Sequence, residues 1–435
     1  MEEKTNEPSS TFMNKVIFIF FGIASLLGWN ALLTKLDFFN FFLSDIKPFR
    51  SFSFLNYFLN ITFQFILIWK KNLMPLKSEL ITGILGSIVF LILLPLSASQ
   101  LGINEMKNKV ITAGLIVLMG FINALASGGF FGYAGHFPLE MIVLFTVGQG
   151  LSAVLMNILE YIVLASVHIK GDDEKEIIVR AWIFFVFAIL ILLVCLFLLL
   201  YSYKDEYCQY YLNKGNGTSV NESKQISLIT VDEKNNVGNE EEEEEKNQQV
   251  EYTPVDNITT KSEPSFSYVF CKLMEFDLLA CYGYIVTFGL FPNICIAQNI
   301  FHLGDYNSVT IITIYNVFDT IGRYLVKLFT PTKIKNRIIV IGRSILFFTL
   351  IFNDYCQVKL KSNLTFTSIF LMVNVAILGI TNGMGATLTF GLASDIAEDE
   401  IKKQTGGSIG FFSIFGIFLG SCLAFGTGAI TDSYK

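Results

Sequence analysis

The sequence has little charge. Only 16% of its 435 residues are Asp, Glu, Lys or Arg, against roughly 25% in an ordinary soluble chain. Just over half of the residues (52%) are apolar, more than a globular protein of this length could shield from water by folding alone. A lipid bilayer solvates such an exterior, so the composition predicts an integral membrane protein.

The residues and motifs of common metal and enzyme sites are also scarce. The seven cysteines include no C-x-x-C pair and the three histidines lie far apart, which argues against a disulfide framework and a metal site. The sequence has no Walker loop, nucleophile elbow or H-E-x-x-H motif, and no basic patch for a nucleic acid. We therefore expect no catalytic residues, no metal, no organic cofactor, no nucleic-acid partner and no obligate protein partner.

Apolar stretches recur along the chain at the length that a membrane-spanning helix needs. About 20 residues of helix cross a bilayer core of about 30 Å. Eleven such stretches are present, and the short segment 135–138 separates the fourth from the fifth. The predicted spans are 16–34, 52–69, 79–98, 110–134, 139–166, 179–203, 276–300, 307–329, 337–354, 366–392 and 405–430.

A polar segment divides these spans into six and five. Residues 204–265 contain fourteen acidic residues and six lysines, including a run of six glutamates at 240–245. Such a composition buries too little apolar surface to order itself, so we expect a disordered acidic linker, with a docking or phosphorylation segment as the less favoured alternative. The predicted organisation is a tail (1–15), a six-helix bundle (16–203), the linker (204–265) and a five-helix bundle (266–435).

Positive charge favours one orientation in the membrane. Two basic clusters would lie on the same side as the N-terminus, one at 70–77 and one at 327–337. Cytoplasmic loops carry an excess of Lys and Arg, so we expect a cytoplasmic N-terminus and linker and an extracellular C-terminus. Lys35, Lys47 and Arg50, in the first opposite loop, count against this orientation. The plasma membrane is the expected location.

One face of the eighth span carries a carboxylate, a guanidinium and an amide. Asp319 and Arg323 are four residues apart, hence stacked on one helical face, and Asn316 lies one turn before Asp319. Charged groups within a membrane are costly and usually face the bundle interior. The face is suited to a polar, uncharged ligand rich in hydroxyls and ring nitrogens. The alternative is an internal ion pair that locks two helices together.

Two further residues are candidates for the same site. Gln149 lies between Gly148 and Gly150 in the fifth span, and its amide could bind a ligand or hold two helices together. Trp29 ends the apolar run of the first span, where an interfacial aromatic belt is the alternative to stacking on a planar ligand.

Glycines and carboxylates in the spans have structural interpretations. Gly379 and Gly383 are one of several pairs at four-residue spacing, which lets membrane helices approach closely. Glu140, Glu160, Glu275 and Asp277 lie near span ends. We expect each of these carboxylates to face a loop or to snorkel to the membrane surface rather than to take part in proton coupling.

The motifs together resemble the equilibrative nucleoside transporter family. The eighth span, YNVFDTIGR, is close to the family's F-N-x-F-D-x-x-G-R signature. The likeness covers nearly all of the membrane portion in matching order. Its other elements are LLGWN at 26–30, the glycine-rich stretch 120–151 with its G-Q-G, VTFGLFP at 286–292, GITNGMGATLTFG at 379–391 and TGGSIGFFSIFGIFLG at 405–420.

The resemblance implies a fold, a function and a site. It implies an all-α, polytopic transmembrane helix bundle with 11 helices in a 6+5, two-bundle, major-facilitator-like arrangement. It further implies a non-enzymatic transporter that moves nucleosides, with nucleobases as a further substrate class, down their gradient by alternating access, with or without proton coupling. Trp29 and Gln149 match residues that contact the base. Asp319 and Arg323 match the pair near the ribose hydroxyls, and Asn316 matches the asparagine beside them.

Two other functions remain open at this stage. A related fold could carry another polar solute, such as a sugar or an organic cation. A membrane sensor or scaffold could use the acidic linker and transport nothing. The expected partners are a small-molecule substrate and the lipid bilayer.

Overall fold

The apolar stretches predicted to span the membrane are mainly helical in the computed structural model. The residues described are 8–46, 48–70, 73–99, 105–167, 173–215, 266–304, 306–328, 330–398 and 401–433. Helix satisfies each backbone hydrogen bond within its own segment, which lipid requires. The N-terminal group of helices is α1 (Phe12–Thr34), α2 (Leu36–Leu43), α3 (Pro48–Trp69), α4 (Leu76–Ser99), α5 (Glu105–Ala134), α6 (Leu139–Ser166), α7 (Asp173–Ser202) and α8 (Glu206–Gly215).

The C-terminal group of helices follows residue 265. It consists of α9 (Phe266–Leu290), α10 (Asn293–Ile296), α11 (Tyr306–Leu325), α12 (Lys333–Gly342), α13 (Ile345–Val358), α14 (Leu364–Ile396) and α15 (Lys402–Ser433). Within the described ranges, nine helical spans are long and apolar enough to cross a membrane. They are α1, α4, α5, α6, α7, α9 with α10, α12 with α13, α14 and α15. Helices α3 and α11 occupy the two other predicted spans, and α11 carries the charged residues Asp319 and Arg323.

Local sequence explains where several helices begin and break. Thr11 caps α1, because its hydroxyl accepts from the Asn14 backbone N–H (3.2 Å) while its own N–H donates to Asn14 Oδ1 (2.9 Å). The seventh predicted span breaks after Leu290, since Pro292 lacks an N–H and disfavours helix in the residue before it. The ninth divides at Arg343 and Ser344, between α12 and α13.

The segment expected to be disordered begins with a helix instead. Helix α8 takes up 206–215, while 216–265 lies outside the described residues. Tyr207 and Tyr211 are buried against Phe137, with ring centroids 6.1 and 5.4 Å apart. Cys208 is also buried, and burial raises the pKa of its thiol to about 12. These aromatic contacts order a stretch whose polar composition predicted no structure.

The two groups of helices meet along a central interface. Within the N-terminal group α1 packs on α6 and α5 packs on α3 and α4, and within the C-terminal group α9 packs on α15 and α11 on α14. Between the groups, α6 contacts α11, and α15 contacts α3 and α5. Within the C-terminal group, Gly383 on α14 permits a close approach to α11, because a Cβ there would lie 2.0 Å from the backbone oxygen of Asp319.

Candidate functional site

A cavity of about 130 Å³ lies between the two groups of helices. Helices α1, α3, α5 and α6 line one side, and α9, α11, α14 and α15 line the other. This volume holds roughly four water molecules at about 30 Å³ each, or a small organic molecule in their place. Most of the wall is apolar and a few polar side chains converge on it, which is the usual make-up of a small-molecule site.

The polar face of α11 forms part of this wall. Asn316, Asp319 and Arg323 all line the cavity, as their spacing predicted. Asp319 and Arg323 are only 5% and 4% exposed, and Arg323 Nε donates to Asp319 Oδ2 at 2.7 Å. The ion pair lies within one helix, so the pair alone does not lock two helices together.

Arg323 makes its contact with the other group of helices through a terminal nitrogen. Its Nη1 donates to Gln149 Oε1 (3.1 Å) and to the Thr146 carbonyl oxygen (3.2 Å), both on α6. Gln149 is 3% exposed, and its Nε2 donates to Ser25 Oγ on α1 at 3.3 Å. Gln149 therefore links helices, which was one of its two predicted alternatives, and it also lines the cavity.

The glycines beside Gln149 allow this arrangement. A Cβ on Gly150 would lie 2.5 Å from Thr320 Oγ1 on α11, and one on Gly148 would lie 2.0 Å from the Ile19 carbonyl oxygen on α1. Any side chain at these positions would push α6 away from its two neighbours. The G-Q-G sequence thus places the Gln149 amide at the junction of three helices.

Asn382 on α14 completes the cluster from a fourth helix. It is 4% exposed, lines the cavity and donates through Nδ2 to Asp319 Oδ1 at 2.7 Å. Each carboxylate oxygen of Asp319 therefore accepts one hydrogen bond from the protein, from Asn382 and from Arg323. Such charge-assisted bonds are stronger than neutral ones and hold the carboxylate in one orientation.

Aromatic side chains form the opposite part of the wall. Trp29 on α1 is 5% exposed and meets Tyr57 on α3 edge to face, with ring centroids 5.0 Å apart. Tyr57 in turn lies 6.4 Å from Phe288 on α9, and all three rings line the cavity. Trp29 is thus part of an internal aromatic group rather than an interfacial belt.

The loop-facing positions expected for four carboxylates are wrong for two of them. Glu160 is 6% exposed and pairs with Lys35, Nζ to Oε2 at 2.5 Å, while Asp277 is fully buried and accepts from Ser408 Oγ at 2.9 Å. Neither lines the cavity.

Sequence reasoning missed several parts of the cluster. Asn382 stands in the T-N-G element of the tenth predicted span, and Arg343 is a buried charge within the ninth. Like Arg323, Arg343 is a charged group inside an apolar span, so its sequence context marks it in the same way. No sequence signal marks Ser25 or Tyr57, which only tertiary packing brings to the site.

Comparisons with known proteins agree with this architecture. The sequence profile of the nucleoside transporter family matches residues 113–428. Equilibrative nucleotide transporter 4 from Arabidopsis thaliana is 23% identical over 419 residues, covering 94% of this chain and 92% of that protein. Equilibrative nucleoside transporter 1 from Homo sapiens is 23% identical over 359 residues, covering 79% and 74% respectively.

A solved structure shares the fold. The major facilitator superfamily proton:xylose symporter XylE superposes with a TM-score of 0.59 at 12% identity, covering 97% of this chain and 95% of that one. The helices and the central cavity thus define a multi-pass integral membrane protein with a major-facilitator-like fold. The chain belongs to the nucleoside transporter family, whose members are transporters and not enzymes.

Proposed function

We propose that this chain moves nucleosides across a membrane down their concentration gradient by alternating access, with the central cavity as the binding site. The hydrogen-bonded chain Asn382–Asp319–Arg323–Gln149 is the observation that supports this proposal most strongly. It lies on the cavity wall and joins side chains from α14, α11 and α6.

The sugar would bind at Asp319 and Arg323. An ionised carboxylate has about four acceptor positions, and Asn382 and Arg323 fill two of those on Asp319. The remaining positions suit the neighbouring hydroxyls of a ribose. Asn316, half-buried on the same face of α11, adds an amide beside them.

The base would bind at Gln149 and Trp29. Arg323 holds the oxygen of the Gln149 amide, so the NH₂ group is directed elsewhere. One of its hydrogens reaches Ser25, and the other is left to donate to a ring nitrogen. Trp29, Tyr57 and Phe288 supply apolar surfaces for a planar base. Because these contacts need no sugar, free nucleobases are a second class of proposed substrate.

Alternating access would open the cavity to one side at a time. Towards the ends of α5 and α14 the two groups of helices touch directly, where Ser394 Oγ donates to the Gly135 carbonyl oxygen at 3.3 Å. Deeper in the same interface, Thr387 Oγ1 donates to Thr146 Oγ1 at 3.0 Å. These contacts would separate when the cavity opens on that side.

The proposed topology keeps the predicted 6+5 division and orientation. The six-helix bundle would be 16–203 and the five-helix bundle 266–435, with the chain between them in the cytoplasm and the C-terminus outside. Lys15–Glu140 (2.8 Å) and Lys272–Glu398 (2.5 Å) are ion pairs at the proposed cytoplasmic ends of helices. The plasma membrane is the proposed location.

Uptake of labelled adenosine by cells that lack nucleoside transport tests the proposal. We expect uptake above the vector control, competition by unlabelled nucleosides, and no competition by xylose or an organic cation. Absence of uptake at every external pH tried, with the protein at the cell surface, would contradict a transport role for nucleosides. Competition by free adenine would support nucleobase transport, and dependence on a proton gradient would indicate coupling.

A further inference from the structure

Arg343 is a buried arginine that does not line the cavity. It stands between α12 and α13, is 4% exposed, and makes its hydrogen bonds to α9 and α14. Its Nη1 donates to Asn382 Oδ1 at 3.0 Å, and its Nη2 donates to Thr287 Oγ1 at 2.5 Å. Asn382 lies between Arg343 and Asp319 and touches both.

A guanidinium fixes which way the Asn382 amide faces. Arginine carries only donors, so the group nearest to Arg343 must be the amide oxygen of Asn382. The NH₂ group then faces Asp319, where Nδ2 donates to Oδ1 at 2.7 Å. Thr287 Oγ1 also donates to Asn382 Oδ1 at 2.7 Å, and Arg343 Nη2 donates to that hydroxyl. The guanidinium therefore holds the amide oxygen both directly and through Thr287.

Donors and acceptors also alternate in the hydrogen bonds that connect Asp319, Arg323 and Gln149. Asp319 accepts from Asn382 on one oxygen and from Arg323 on the other. Arg323 then fixes the Gln149 amide by donating to its oxygen. Each amide in the chain is therefore oriented by an arginine, Asn382 by Arg343 and Gln149 by Arg323.

The position of Arg343 is costly, which argues for a role beyond packing. No carboxylate among the described residues forms an ion pair with it, and a charge held inside a membrane protein is expensive. An apolar residue of similar length would fill the same space without that cost. Such a residue could not donate to the oxygen of Asn382, which would then accept from Thr287 alone.

We propose that Arg343 is a positioning residue: by orienting the Asn382 amide it holds the Asp319 carboxylate in the geometry that binds the sugar hydroxyls. The role in sugar binding rests on the proposed function. The hydrogen bonds from Arg343 to Asn382 and from Asn382 to Asp319 do not depend on it. Arg343 does not touch the substrate and acts through Asn382.

Transport kinetics with two substrates test the proposal. KM is measured for adenosine and for 2′,3′-dideoxyadenosine, which lacks both ring hydroxyls, in the wild type, Arg343→Met and Arg343→Lys. We expect Arg343→Met to raise the adenosine KM about tenfold and to change that of the dideoxy analogue less than about twofold. Arg343→Lys, which keeps charged donors, should recover most of the adenosine affinity.

The matched control is Arg337→Met, which removes an exposed arginine on α12 whose partner is Glu275. It should leave both KM values unchanged. Equal changes in the two KM values for Arg343→Met, or no change in either, would overturn the proposal. A purely structural role for Arg343 would lower the amount of folded protein without altering the ratio of the two KM values.

A second measurement does not depend on transport. Thermal unfolding of purified Arg343→Met, Asn382→Ala and the double variant gives the coupling between the two residues. We expect the double variant to be no less stable than the less stable single variant, since both remove the same contact. Additive losses would overturn the proposal. If the wild type carries no nucleoside but the coupling is present, the proposed function fails and the orienting role of Arg343 stands.

Discussion

Arg323 on α11 donates through Nη1 to Oε1 of Gln149 on α6, 3.1 Å away. Both side chains are at most 4% exposed, and the bond joins the N-terminal and C-terminal groups of helices. Because Arg323 also holds Asp319, the residues proposed for the base and for the sugar form one hydrogen-bonded unit. A change at any member is therefore expected to affect the others.

Asp319→Asn should reduce both stability and uptake. The substitution leaves Arg323 buried without a counter-charge, and breaking a buried pair in this way costs about 3–5 kcal/mol. We expect a lower unfolding temperature in detergent and adenosine uptake close to that of the vector control. Glu275→Gln, which breaks an exposed pair with Arg337, is the matched control and should keep uptake. Normal uptake by Asp319→Asn would show that Asp319 is not part of the substrate-binding site.

Trp29→Ala should weaken the fold, because the ring is buried against Tyr57, and should also weaken substrate binding. Stacking of a base on an aromatic side chain is worth about 1–3 kcal/mol, so KM should rise roughly five- to a hundredfold. The quantity to measure is adenosine KM at matched surface expression. Trp69→Ala is the control, because Trp69 lies at the end of α3 and is 65% exposed. An unchanged KM for Trp29→Ala would leave the ring without a role in recognition.

The sequence was sufficient to find the charged face of α11 and the glutamine that meets it. A carboxylate and a guanidinium at helical spacing inside an apolar span indicate a polar face that points into the bundle. Gln149 is marked by the glycines on both sides of it. The glycine-rich stretches likewise predicted close helix packing. These inferences depend on local spacing alone, which a sequence displays directly.

Other parts of the site depend on which atoms meet after folding. Asn382 donates to Asp319 through its nitrogen and accepts from Arg343 on its oxygen. This orientation depends on how α14 packs against α11 and on the position of the α12–α13 break. Helix α8 was missed for a related reason. Its polar composition predicted disorder, but Tyr207 and Tyr211 pack against Phe137, which is distant in sequence.

Gly383→Ala tests the close approach of α14 to α11. The added Cβ would lie 2.0 Å from the backbone oxygen of Asp319, so the two helices must separate. We expect a clear loss of thermal stability together with loss of uptake. Gly114→Ala in α5 is the control, since its Cβ would meet nothing within 4 Å. There the change should be neutral or stabilising by up to about 1 kcal/mol. Equal stability of the two variants would contradict the packing described.

The polar segment offers a test of the scaffold alternative. Replacing 216–265 with a shorter polar linker should preserve adenosine uptake, because the proposed substrate contacts of the cavity all come from the two groups of helices. Tyr211→Ala should lower thermal stability, since it removes a buried ring 5.4 Å from Phe137. Tyr210→Ala on the same helix is the control, because Tyr210 is only half-buried. Loss of function on replacing 216–265, with Asp319 dispensable, would favour a scaffold.

Counterflow in proteoliposomes measures facilitated nucleoside exchange in the absence of other cellular transporters and enzymes. Purified protein is reconstituted into vesicles loaded with unlabelled adenosine, and entry of external labelled adenosine is followed without ATP or an imposed ion gradient. We expect a transient accumulation of label that depends on the internal adenosine and is absent with Asp319→Asn. Entry of label no faster than in protein-free vesicles would contradict the proposal that this cavity carries nucleosides across the membrane.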